Sequence, residues 1–122
     1  RDPYDFEKCE SDLLNDPIAE ILSQFNWPDN LNNNKFILVS GREDKYREQT
    51  EKWLGNNLIH YDFLYMRKTG DMRQDTIIKK EIYDEHVKDR YNVLFVLDDR
   101  DRVVKMWREQ GLTCLQVAEG LV

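Results

Sequence analysis

Two adjacent carboxylates, Asp98 and Asp99, follow an apolar segment, in a position where α/β proteins often bind ligands. Val93 to Leu97 is an unbroken apolar run, which is typical of a strand covered on both faces in a parallel sheet. Ligands bind beyond the carboxyl ends of such strands. Neighbouring carboxylates repel each other, and a hard cation such as Mg²⁺ can hold both in the ionised form. The alternative is that one of them caps the next helix while Arg100 neutralises the other.

A second candidate site lies after another apolar segment, where Ser40, Gly41 and Arg42 precede a predicted helix. A hydroxyl group, a glycine backbone and free N–H groups suit a phosphate oxygen, and the guanidinium of Arg42 adds a bidentate donor. The alternative is an ordinary strand–helix turn in which Ser40 caps the helix. The residues alone leave both interpretations open.

Asp75 and Lys79 are four residues apart on one face of a helix predicted from Gln74 to about Arg90. Such a pair stabilises even a solvated helix by about 0.2–0.5 kcal/mol, so an exposed surface pair is the simpler interpretation. The alternative is that Lys79 points into a site and neutralises phosphate while Asp75 holds it in place. The sequence does not decide between them.

The composition indicates one charged, globular domain over residues 1–122. Charged residues make up 34% of the 122-residue chain and hydrophobic ones 40%, and no apolar run is long enough to span a membrane. The net charge of −6 argues against a broadly basic nucleic-acid surface, although Arg67, Lys68 and Arg73 form a local basic cluster for a phosphate end. Cys9 and Cys114 lack zinc-site spacing and are predicted to be reduced thiols in the cytoplasm.

Helices and strands alternate along the chain, which predicts an α/β fold with a parallel sheet and helices on both faces. The predicted strands are 35–40, 60–66, 93–97 and 113–117, and the predicted helices begin at Asp16, after Arg42, at Gln74 and at Arg100. Gly111 ends the last helix, and Trp27, Trp53 and Trp107 are predicted to be core residues. No strand precedes the first helix, so we expect the first central strand of the sheet to be missing.

The order of these motifs is that of the second, third and fourth motifs of haloacid dehalogenase-type phosphatases. More narrowly, the chain resembles the 3′-phosphatase domain of phage-type polynucleotide kinases over almost its whole length. The resemblance rests on the segments RDPYDFEKCESDLLNDP, ILVSGRE, GDMRQDTIIKKEIYDEHV, LFVLDDRDRVVKMWREQG and CLQVAEG. It implies a three-layer, Rossmann-like fold and a phage-encoded protein of the host cytoplasm.

The resemblance also implies an activity, which is the Mg²⁺-dependent removal of a 3′-phosphate from a DNA or RNA end through an aspartyl-phosphate. It implies a covalently linked 5′-kinase domain as well. The implied roles are catalysis for Ser40, Arg42, Asp75 and Lys79, substrate binding for Arg1, Gly41 and Arg73, and metal binding for Asp98 and Asp99.

One motif of the family does not occur in this sequence. The first motif, Asp-x-Asp-Gly-Thr, supplies the nucleophile, so we expect the chain as written to be inactive or nearly so. The missing strand is expected to leave two sheet edges unpaired and to favour self-association or lower stability. The alternatives are a related phosphatase that acts on a small phosphomonoester, and a non-catalytic module that binds a phosphate or a nucleic-acid end.

Overall fold

The computed structural model describes residues 34–120, which divide into two compact units between Asp71 and Met72. The elements of the first unit are β1 (Ile37–Glu43), a 3-10 helix (Asp44–Tyr46), α1 (Arg47–Asn56) and β2 (Phe63–Arg67). Those of the second unit are α2 (Asp75–His86), β3 (Val96–Asp98), α3 (Asp101–Glu109) and β4 (Cys114–Gln116). Arg1, Cys9, Trp27 and the helix predicted to begin at Asp16 lie outside the described residues.

The strands pair in parallel, and the predicted α/β class is confirmed. β1 pairs with β2, and β3 pairs with β4. Within residues 34–120 these pairs form two separate two-stranded sheets, so each strand has one strand neighbour. The self-association expected from unpaired edges stays a prediction. Every helix in this part of the chain is too short or too polar to cross a membrane.

The first unit has a small apolar core between α1 and β2. Leu54, Leu64 and Met66 are its buried members. Four partly buried side chains pack against them, namely Leu38, Trp53, Ile59 and Tyr61. Trp53 therefore belongs to the core, as the sequence predicted.

Strand β1 continues beyond the predicted end at Ser40. Ser40 lies opposite Met66 and Glu43 lies opposite Arg67, so β1 has two extra residues, Gly41 and Arg42, where its partner has none. This irregularity is a β-bulge, a feature that redirects side chains and is common beside active sites. The predicted strand–helix turn is therefore a bulge inside the paired strand.

The second unit is built around the apolar face of α3. Val103, Val104, Met106 and Trp107 are buried on α3, because their spacing places them on one stripe of the helix. α2 packs against this helix, and the rings of Tyr83 and Trp107 meet edge to face with centroids 5.8 Å apart. The predicted end of this helix is confirmed, because Gly111 follows α3 with a φ of +83°, a conformation that favours glycine.

Strand β3 is shorter than the sequence predicted. The regular strand begins at Val96 rather than Val93, and Leu94 is 60% exposed. β4 provides a pairing partner over three residues, so the ladder covers only Val96 to Asp98. The interpretation of 93–97 as a strand buried on both faces was therefore wrong.

Candidate active site

The Asp98 carboxylate, at the end of β3, is held by three donors from different parts of the second unit. Its Oδ2 accepts hydrogen bonds from Lys79 Nζ and from Trp107 Nε1, each at 3.1 Å. Its Oδ1 accepts the Asp99 N–H at 2.9 Å. The structure thus brings together two of the predicted site residues, Lys79 and Asp98.

The Lys79–Asp98 pair is nearly removed from solvent. The side chains of Lys79 and Asp98 are 13% and 7% exposed, so the interpretation of Lys79 as half of a solvated surface pair was wrong. Asp75 accepts a hydrogen bond from Arg100 Nη1 at 2.8 Å. Asp98, rather than Asp75, is therefore the carboxylate that holds Lys79, and Arg100 pairs with Asp75 instead of with the carboxylates at the end of β3.

Burial and charge act in opposite directions on Asp98. Burial by itself raises the pKa of its carboxyl group. The Lys79 ammonium and the hydrogen bonds from Trp107, Lys79 and Asp99 outweigh this effect, so the pKa of Asp98 lies below its usual value. Asp98 is consequently ionised at neutral pH and forms a true ion pair with Lys79.

Asp99 occupies a different environment from its neighbour. Asp99 is exposed, and within residues 34–120 its carboxylate makes no hydrogen bond or ion pair, while its backbone carbonyl accepts a hydrogen bond from Gln116 Nε2 at 3.1 Å. The residue that precedes α3 is Arg100, and no side chain caps this helix. The interpretation of Asp98 or Asp99 as a helix cap was therefore wrong.

The first unit contains the other predicted phosphate site, at the bulge of β1. Ser40 Oγ accepts the backbone N–H of Arg42 at 3.1 Å, and Arg42 is buried. Ser40 does not cap the following helix, because Glu43 precedes the 3-10 helix and no side chain caps it. The Ser40 hydroxyl and the Arg42 guanidinium thus belong to one short, internally bonded segment.

Arg67 ties this bulge to the loop after β2. Only 4% of Arg67 is exposed, and it donates Nε–H to the Gly41 carbonyl at 2.6 Å and Nη1–H to the Asp71 carbonyl at 2.9 Å. The buried Glu43 reinforces the connection by accepting the Gly70 N–H at 2.7 Å. Arg67 is therefore poorly placed for the phosphate-binding basic cluster that the sequence predicted, because its guanidinium is buried and binds backbone carbonyls.

The predicted site residues fall into two groups. Ser40, Gly41 and Arg42 lie in the first unit, whereas Arg73, Asp75, Lys79, Asp98 and Asp99 lie in the second. Arg73 forms a bidentate ion pair with Glu81, at 2.6 and 2.8 Å. The roles assigned to the predicted site residues of both units stay predictions.

The polar role of Trp107 was not predicted from the sequence. Trp107 was predicted only as a core residue, yet its buried ring also donates a hydrogen bond to Asp98. A usable signal was present, because a buried indole N–H nearly always needs an acceptor and Trp107 lies on the apolar face of the helix that follows Asp98.

The donor set fits a magnesium ion only in part. Within residues 34–120 no group of three or more His, Cys, Asp or Glu side chains could hold a metal ion. Mg²⁺ is commonly bound through one or two carboxylates, with water and phosphate oxygens completing its shell. Asp98 and Asp99 supply two neighbouring carboxylates, and their role as metal ligands stays a prediction.

Comparisons with known proteins identify relatives in both sequence and fold. Two of the similar solved chains come from structures of the Pnkp1/Rnl/Hen1 RNA repair complex, each 47% identical with a TM-score of 0.87 over 100% of this chain. A protein of Autographa californica nuclear polyhedrosis virus, named as a bifunctional polynucleotide kinase/RNA ligase, is 30% identical over 74 residues, or 60% of this chain. The chain spans 38% and 42% of the two solved chains and 11% of the viral protein.

A family description covers nearly the whole sequence. The family described as the polynucleotide kinase PNKP phosphatase domain matches residues 1–121. The matched range contains Lys79 and Asp98 as well as Ser40 to Arg42. The chain therefore belongs to the family of PNKP phosphatase domains of polynucleotide kinases.

Proposed function

We propose that this chain belongs to the 3′-phosphatase domain of a polynucleotide end-repair protein and that this domain, in the full-length protein, hydrolyses the phosphomonoester at the 3′ end of RNA or DNA. The observation that carries the proposal is the nearly buried ion pair between Lys79 and Asp98 at the carboxyl end of β3. A fixed ammonium group at this edge suits a phosphoryl group, because negative charge on its oxygens must be stabilised in the transition state.

Lys79 is the proposed source of that stabilisation. Asp98 keeps the Lys79 ammonium in one place, so little reorganisation is needed when charge develops on the phosphoryl oxygens. Ser40 and Arg42 are also proposed to donate hydrogen bonds to phosphoryl oxygens. The nucleophilic aspartate that forms the aspartyl-phosphate is assigned by resemblance to the Asp-x-Asp-Gly-Thr motif, which this sequence does not contain.

Asp98 and Asp99 are proposed to have different roles at a metal site. Phosphatases of the haloacid dehalogenase superfamily generally use Mg²⁺. The exposed Asp99 carboxylate can bind a cation directly, whereas the Asp98 oxygens already accept three hydrogen bonds. We therefore assign Asp99 as the main ligand and Asp98 as the residue that orients Lys79. When bound, Mg²⁺ would neutralise charge on the phosphate.

The relatives support a wider setting for this domain. The viral relative is named as a kinase/ligase, and the solved relatives come from an RNA repair complex. We therefore propose that this domain is part of a protein with a 5′-kinase domain, that it acts with an RNA ligase, and that RNA ends are among its substrates. A cytoplasmic location and a phage origin stay predictions.

The test is phosphate release from 3′-phosphorylated RNA and DNA oligonucleotides by the full-length protein in the presence of Mg²⁺. Asp99→Asn should lower the rate about 100-fold, because metal charge stabilisation is worth several kcal/mol. Asp89→Asn, which changes another exposed carboxylate, should leave the rate within about twofold of wild type. Oligonucleotide binding without phosphate release would instead support the non-catalytic module, and hydrolysis of small phosphomonoesters alone would support the other phosphatase.

A further inference from the structure

We propose that Trp107 is a positioning residue for this reaction, and that its indole N–H fixes the carboxylate to which Lys79 is bound. The inference rests on the proposed phosphatase function and deepens it. Trp107 Nε1 lies 3.1 Å from Asp98 Oδ2, which is the same oxygen that accepts Lys79 Nζ. Trp107 thus acts on Lys79 through a shared acceptor atom.

The indole ring is itself held firmly. Trp107 is 4% exposed, and the edge-to-face contact with Tyr83 of α2 restricts the tilt of its ring. Its donor therefore has a fixed direction, unlike the ammonium group of Lys79, which ends a chain of four flexible methylene groups. The rigid donor can define where Oδ2 lies, and the flexible one can follow it.

The three hydrogen bonds together determine the orientation of the Asp98 carboxylate. Lys79 approaches from α2, Trp107 from α3 and the Asp99 N–H from the adjoining turn. Rotation of the carboxylate would break bonds to both oxygens. Loss of the indole donor leaves Oδ2 bound only to the long, flexible side chain of Lys79, so the position of the Lys79 charge becomes less well defined.

An apolar packing role alone does not explain this contact. Phenylalanine would fill an apolar site without bringing a polar group into it, whereas a buried N–H without an acceptor is costly. Trp107 instead places its donor on an ionised group, where a hydrogen bond is about twice as strong as between neutral groups. The contact is thus suited to hold charge in place.

The test compares Trp107→Phe with wild type in the full-length protein, by phosphate release from a 3′-phosphorylated RNA oligonucleotide. Loss of one hydrogen bond to a charged group predicts a fall in kcat of roughly tenfold or more. KM should stay within about twofold, because Trp107 acts on the charge that stabilises the transition state. Trp53→Phe is the matched control and should keep kcat, because Trp53 packs in the core of the first unit.

A second variant removes the donor while keeping the shape of the ring. Benzothienylalanine at position 107 replaces the indole N–H with sulfur, and its kcat should fall as in Trp107→Phe while its melting temperature stays close to wild type. A folded benzothienylalanine protein with wild-type kcat would overturn the inference.

A spectroscopic arm tests the contact independently of catalysis. The indole N–H resonance of Trp107 should lie downfield in the nitrogen–proton spectrum and should move upfield in Asp98→Asn but little in Asp99→Asn. A Trp107 indole resonance whose chemical shift is unchanged in Asp98→Asn would contradict the hydrogen bond. Wild-type protein that releases no phosphate would overturn the proposed function and the catalytic part of the inference, whereas an active wild type with a fully active Trp107→Phe would overturn the inference alone.

Discussion

Replacement of Lys79 by methionine tests whether Asp98 depends on its ion-pair partner. Removing one partner of a fully buried pair costs about 3–5 kcal/mol, since the other charge stays buried and uncompensated. Here Asp98 would keep the hydrogen bonds from Trp107 and from the Asp99 N–H, and Lys79 is 13% exposed. We therefore expect Lys79→Met to lower the free energy of unfolding by about 2–3 kcal/mol at pH 7.

The neighbouring lysine is a matched control. Lys80 forms an ion pair with Asp84 in which the two side chains are 45% and 37% exposed. Such an i,i+4 surface pair contributes about 0.3–0.5 kcal/mol. Urea denaturation followed by tryptophan fluorescence should therefore place the midpoint of Lys80→Met close to wild type and that of Lys79→Met well below it.

The difference between Lys79→Met and wild type should also depend on pH. In wild type the pKa of Asp98 is lowered, so its contribution to stability is present above the unfolded value of about 3.9 and is lost as pH falls through the folded value. In Lys79→Met burial dominates and the pKa of Asp98 rises. The variant therefore loses stability at neutral pH, where Asp98 is charged, and regains it in acid, where Asp98 is protonated. The difference in free energy of unfolding between wild type and Lys79→Met should therefore decrease as pH falls from about 7 to 4. Equal losses for Lys79→Met and Lys80→Met, or a gap that is constant with pH, would refute this reasoning.

Two further substitutions test the packing around the candidate sites. Gly120→Ala should lower stability by about 1–3 kcal/mol, because a Cβ there would collide with the Asp99 carbonyl. The Cβ of Gly55→Ala meets no atom within 4 Å, so this variant should be neutral or stabilising in its helix. Thermal melting of both variants checks this. Arg67→Met should cost about 2–3 kcal/mol, because it leaves two partly buried carbonyl groups without their charged donor. Lys68→Met should change stability by less than about 0.5 kcal/mol in urea denaturation, because Lys68 is exposed. Similar stabilities for Arg67→Met and Lys68→Met would contradict the structural role of Arg67.

Local patterns in the sequence predicted the elements that depend on local physics. The apolar stripe of Val103, Val104 and Trp107 identified α3 and its buried face, and Gly111 marked its end. Both features follow from helix geometry and backbone sterics, which act over a few residues.

Features that depend on partners distant in sequence were not predicted correctly. β1 continues to Glu43 because pairing with β2 resumes at Arg67 after the bulge, and β3 is short because β4 is short. The partner of Lys79 was mispredicted for the same reason. Lys79 pairs with Asp98, 19 residues away in sequence, and not with Asp75 on its own helix. Spacing along the helix could not reveal this, because the contact forms only when α2 packs beside α3 and the end of β3.

The proposed function makes this domain part of an enzyme that removes 3′-phosphates from polynucleotide ends. The most direct measurement is Mg²⁺-dependent phosphate release from a 3′-phosphorylated RNA oligonucleotide by the full-length protein and by its Lys79→Met variant. We expect steady release by wild type and a loss of roughly 100-fold or more in the folded variant, because Lys79 is proposed to stabilise the transition-state charge. A folded Lys79→Met protein with wild-type activity would contradict the role of Lys79, and a wild type that binds the oligonucleotide without releasing phosphate would contradict the phosphatase function.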